Sequence, residues 1–99
     1  MERGLYNRTT AGEATLLPID GLRGDVNSIR LANYSSTESV AVDLYLYDLS
    51  GTNVYLMKGL VIPIGVSLLL DHELNFDNSV LGLKINLTGS NPRLSIIIK

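Results

Sequence analysis

The one histidine of the chain, His72, is the first place to look for chemistry, because imidazole changes charge nearest to neutral pH. It stands in Asp71-His72-Glu73-Leu74-Asn75-Phe76-Asp77-Asn78, the densest polar cluster of the sequence. General-base catalysis requires a nucleophile or an orienting partner beside the ring, and the pattern around His72 supplies neither. His72 reads as a solvated loop histidine. The same segment places oxygen-bearing side chains at Asp71, Glu73, Asn75 and Asp77, the ligand type that calcium takes. In extended chain these alternate side chains share a face but spread by about 6.5–7 Å per step, too far to converge on one ion. A bent loop would be needed to gather them, and the glycine and distal glutamate of an EF-hand loop are absent. No catalytic, cofactor-binding or metal-ligating residue is assigned, and no cofactor is expected.

Glycine-rich phosphate loops, nucleophile elbows and paired-carboxylate signatures are also missing. Asn7-Arg8-Thr9, Asn33-Tyr34-Ser35 and Asn86-Leu87-Thr88 match the glycosylation pattern, but without a secretory leader they read as products of a composition rich in Asn, Ser and Thr. The chain is therefore expected not to be an enzyme.

Composition narrows the classes further. The 99 residues suit one domain, and the absence of cysteine excludes a disulfide scaffold, a thiolate zinc site and any cysteine nucleophile. Eight basic and ten acidic residues, with no run of like charge, form no footprint for nucleic acid or for an anionic membrane. No stretch approaches the roughly 20 apolar residues of a membrane-spanning helix. The expected setting is the inside of a cell, or a particle assembled there.

The elements that must position any site are strands. In Val40-Ala41-Val42-Asp43-Leu44-Tyr45-Leu46-Tyr47 the aliphatic residues take every second place, the period of a half-buried strand. Val80-Leu81-Gly82-Leu83-Lys84-Ile85-Asn86-Leu87 repeats the pattern. Further strands are expected over residues 53–60, 66–70 and 94–98, and weaker ones over 13–19, 25–32 and 74–76. Turn chemistry separates them at Asp20-Gly21, Asp48-Leu49-Ser50-Gly51-Thr52, Pro63-Ile64-Gly65 and Thr88-Gly89-Ser90-Asn91-Pro92. Short strands joined by hairpin-length links predict an all-β fold, an antiparallel β-sandwich of about eight strands. Residues 1–12 form a polar lead that is expected to be an N-terminal arm, either frayed or ordered on a neighbouring subunit. Residues 13–99 are expected to form the single sandwich domain.

The more informative feature is apolar surface that one sandwich does not obviously hide. With the aliphatic face of 40–47 inward, Tyr45 and Tyr47 must lie on the outer face. On the following strand Tyr55 and Met57 share one face, opposite Val54 and Leu56. Leu68-Leu69-Leu70 and Ile96-Ile97-Ile98 face both ways, so Ile97 is left outside. Tyr45, Tyr47, Tyr55, Met57 and Ile97 are the candidate interface residues.

Five stretches carry a resemblance: Thr9-Thr10-Ala11-Gly12-Glu13-Ala14-Thr15-Leu16, Val26-Asn27-Ser28-Ile29-Arg30-Leu31-Ala32-Asn33, Val40 to Asp48, the Ile62-Pro63-Ile64-Gly65 turn, and the closing aliphatic strand. Through them the chain, from residue 9 to residue 99, resembles a group of small bacteriophage virion proteins. The resemblance implies a jelly-roll-like sandwich and a structural role in the virion. A capsid decoration or cement protein comes first, binding the major capsid protein or other virion proteins in many copies. Neck, tail or fibre-associated proteins come second. It also implies a homo-oligomer, with a trimer favoured, and a virion assembled in the host cytoplasm. A carbohydrate- or ligand-binding module, with tyrosines as stacking platforms, is the alternative of a different class.

Overall fold

The computed structural model describes residues 4–19, 25–70, 76–77 and 80–99. The regular elements among them are all strands: β1 (Gly4–Arg8), β2 (Gly12–Leu17), β3 (Asp25–Val26), β4 (Ile29–Asn33), β5 (Val40–Tyr47), β6 (Asn53–Ile62), β7 (Ser67–Leu70), β8 (Phe76–Asp77), β9 (Gly82–Thr88) and β10 (Leu94–Ile98). They form two four-stranded antiparallel sheets, ordered β1-β10-β4-β7 and β2-β9-β5-β6, beside a two-stranded β3-β8 pair. The expected all-β sandwich is what the chain forms. Of the links between the longer strands, only the β5–β6 hairpin stays within one sheet. All the others cross to the facing layer.

Alternation decides which side chains fill the space between the sheets. Val40, Val42, Leu44 and Leu46 of β5, Leu83, Ile85 and Leu87 of β9, and Leu94, Ile96 and Ile98 of β10 point inward into one buried cluster, with Ile29, Leu31, Leu16 and Leu17. Each such side chain, fully buried, is worth about 1.5–3 kcal/mol relative to water.

Asn33 closes one end of this core. It is 2% exposed, and its Nδ2 donates to the carbonyl oxygens of Ile62 at 2.9 Å and Glu38 at 3.1 Å, while its Oδ1 accepts from the Ser35 amide at 2.9 Å. The neighbouring Pro63–Val66 turn docks on the same strand end, with Gly65 N donating to Asn33 O and Asn33 N to Val66 O, both at 3.0 Å. Gly65 takes φ +74°, a dihedral that other residues resist. An asparagine whose amide is buried and fully used is no glycosylation acceptor.

Three expectations are corrected. Gly4–Arg8, expected to belong to an N-terminal arm, is β1 and pairs with β10 along its whole length. Tyr6 anchors it, packing against the core and donating to the Leu16 carbonyl at 2.5 Å. The expected strand over 25–32 is broken at Asn27-Ser28, whose amides both donate to Lys99 O. In β6, the register against β5 shifts twice, between Val42 and Leu44 and between Leu44 and Tyr45. These bulges put Met57 opposite Leu44 and against the core, whereas Tyr55 stays opposite Tyr45 on the outer face. The two residues expected to share a face are thus on opposite faces.

Candidate functional site

The outer face of the β2-β9-β5-β6 sheet carries the tyrosines. Residues paired directly across strands share a face, so Thr15, Lys84, Tyr45 and Tyr55 form one row, and Gly82 and Tyr47 lie in another. Tyr45 stacks on Tyr55 with ring centroids 5.0 Å apart and donates its hydroxyl hydrogen bond to Glu13 Oε2. It is 4% exposed. Tyr45 therefore lies on the expected face but under a cover of neighbouring side chains. Burial, and then the Glu13 carboxylate, push its phenol well above the ordinary tyrosine range.

Lysines occupy much of the remaining ring surface. Lys84 Nζ sits 4.8 Å from the Tyr47 ring centroid and 3.8 Å from Glu13 Oε1, and Lys58 Nζ sits 4.6 Å from the centroid of Tyr55. Tyr47 in addition lies over Gly82, where any Cβ would collide with its ring. That contact explains the glycine at the start of β9, at the last pair of the β5–β9 ladder. Asp43 accepts from Gly59 N at 2.6 Å, at the position where Gly59 takes φ +66°, and so holds the β6 bulge in place. The result is a knitted surface rather than an open tyrosine platform. A sugar ring stacking here would have to displace Lys58 or Lys84.

On the opposite sheet, Ile97 lies on the outer face in a row with Leu5, Arg30 and Leu69. Leu5 is 63% and Leu69 44% exposed, so the row is an apolar stripe crossed by one arginine.

The third surface is the rim where β6 and β7 end their sheets on the same side. Val54 pairs with Leu46 and Leu60 with Val42, so both face inward, yet they remain 55% and 40% exposed. Ile64 and Val66 continue the apolar surface around the turn, and Val61, paired with Ala41, stands exposed on the outer face of the same edge strand. The sandwich is therefore incompletely closed here. Two bulges and Lys58 interrupt β6, which discourages another strand from adding to its edge and leaves side chains to make any contact.

Of the five expected interface residues, Tyr55 is exposed, Tyr47 and Ile97 are half-buried, Met57 packs inward and Tyr45 is buried. Tyr47, Tyr55 and Tyr45 share one sheet face, while Ile97 lies on the other sheet, so they do not form one patch. His72, Asp71, Glu73 and Asn75 lie outside the described residues; Asp77 pairs with Asp25 in the β3-β8 ladder. Among the described residues no helix is long and apolar enough to cross a membrane, and no group of three or more His, Cys, Asp or Glu could hold a metal ion. Glu13, Asn33 and the rim valines were not among the candidates. Each acquires its importance from a strand distant in sequence. No protein-family model matches the chain, and no match is found among curated proteins.

Proposed function

We propose that the protein is a non-enzymatic structural subunit of a virion, a capsid decoration or cement protein that attaches to shell proteins in many copies. The observation that carries this reading is the β6/β7 rim, where core-facing Val54 and Leu60 and their neighbours Val61, Ile64 and Val66 stay in water. Apolar area left exposed forfeits about 25 cal/mol per Å² that a partner surface would recover. A subunit completed by its neighbours accounts for such a rim. The resemblance of residues 9–99 to small phage virion proteins supplies the class of assembly, and with it the virion as the location.

The strand order supports the jelly-roll reading. When the two-residue β3 and β8 are left out, β4, β5, β6, β7, β9 and β10 rank third to eighth along the chain, and the sheets read 1-8-3-6 and 2-7-4-5. That interleaving, with nearly every link crossing between layers, is the pattern of two nested Greek keys. The test is co-purification: the chain should band with assembled particles at a fixed high copy number. Its absence from purified particles overturns the proposal.

A further inference from the structure

The apolar stripe around Ile97 opens into a shallow pocket lined by Ser28, Arg30, Leu69, Ile97 and Lys99. Leu69 and Ile97 flank Arg30 in register, so two aliphatic walls stand on either side of a cation. Neither Arg30 nor Lys99 has a side-chain ion pair or hydrogen bond among the described residues. Such a pocket fits a carboxylate next to a projecting aliphatic side chain.

The chain presents that combination at the tip of its β5–β6 hairpin, in Asp48-Leu49. Leu49 is 89% exposed, more than any other large hydrophobic described. The tip is preorganised. Asp48 Oδ1 accepts from Ser50 N at 3.0 Å, Ser50 Oγ at 2.7 Å and Thr52 N at 3.0 Å, and Gly51 N donates to Asp48 O at 3.2 Å. All three side-chain bonds fall on Oδ1, which leaves Oδ2 to face a partner. A tip already held in shape loses little conformational freedom when it docks.

We infer that the Asp48-Leu49 tip of one copy seats in the Arg30–Lys99 pocket of the next, with Leu49 between Leu69 and Ile97 and Asp48 Oδ2 against the two cations. The inference deepens the subunit reading by naming the contact between copies. Tip and pocket are different surfaces, on different sheets, so the contact is head-to-tail and closes into a ring if the rotation allows. The contact is small, so the free chain associates through it only at high concentration, and many copies attached to one shell reinforce it.

Sedimentation velocity on the full chain tests it. The wild type should form a concentration-dependent oligomer, and Leu49→Ser and Arg30→Glu should each raise its apparent dissociation constant at least about tenfold. Both positions are exposed, and circular dichroism checks that the variants are folded. The Leu49→Ser chain keeps its pocket and the Arg30→Glu chain keeps its tip, so an equal mixture should stop at a one-to-one dimer. A wild type that stays monomeric, variants that assemble like the wild type, or a mixture that either fails to pair or rebuilds the full oligomer overturns the contact. Particle occupancy is read separately, so a monomeric chain that still binds particles overturns this contact alone.

Discussion

The side chain of Asn33 donates to the carbonyl oxygen of Ile62 at 2.9 Å, tying the end of a strand in one sheet to the end of a strand in the other. Glu38 O and Ser35 N complete its bonding, so one buried amide holds three backbone groups from two segments, the loop after β4 and the end of β6. Asn33→Leu leaves those groups unsatisfied. Urea denaturation should show a loss of about 2–4 kcal/mol, and Asn33→Asp, which cannot donate twice, should not restore it. A loss below about 0.5 kcal/mol would show that the amide is not holding the sheet ends together.

Gly82 and Tyr47 form a second coupled pair. A methyl group at position 82 meets the Tyr47 ring, so Gly82→Ala should cost about 1–3 kcal/mol by forcing the ring off β9. In a Tyr47→Ala background the same change should cost much less. Equal costs in both backgrounds, measured in a double-mutant cycle, would mean that the ring does not lie over the glycine.

Tyr45 makes a pH prediction with a definite sign. Its folded-state pKa is raised, chiefly by burial and then by Glu13, so the protonated phenol is favoured in the fold. Its contribution to stability is complete below the ordinary tyrosine value of about 10 and is lost as pH climbs above it. Thermal melts of the wild type should therefore fall more steeply above pH 10 than those of Tyr45→Phe. Parallel alkaline curves would contradict the buried, Glu13-bonded phenol.

How much of this was legible in the sequence differs from strand to strand. β5 was readable to the residue because Val40, Val42, Leu44 and Leu46 alternate without interruption, and β10 because Leu94 to Ile98 is a β-branched apolar run of strand length. β6 was not, because a bulge is an agreement between two strands: Met57 faces inward through the register shifts against β5, where Asp43 holds Gly59 N. The face of Tyr45 was legible and its burial was not, since the cover comes from Glu13 on β2 and Tyr55 on β6. β1 escaped because Gly4–Arg8 carries little hydrophobic period; Tyr6 and the β10 ladder hold it. The surplus of apolar residues over charged ones was visible at once, but its concentration at the β6/β7 rim required the pairing of Val54 with Leu46 and Leu60 with Val42.

The rim itself can be changed at positions that are already more than half exposed. Val54 and Val61 are both 55% exposed, so Val54→Lys/Val61→Lys should leave unfolding stability within about 1 kcal/mol of wild type. Retention on a hydrophobic-interaction column should drop. Unchanged retention would show that these side chains do not form the adhesive surface.

The most direct test of the subunit account is the number of copies of this chain per purified virion, counted for the wild type and for Val54→Lys/Val61→Lys by quantitative mass spectrometry. The account predicts a fixed, high copy number for the wild type and a clear loss for the rim variant. A wild type absent from the particles, or a rim variant bound at full occupancy, would contradict it.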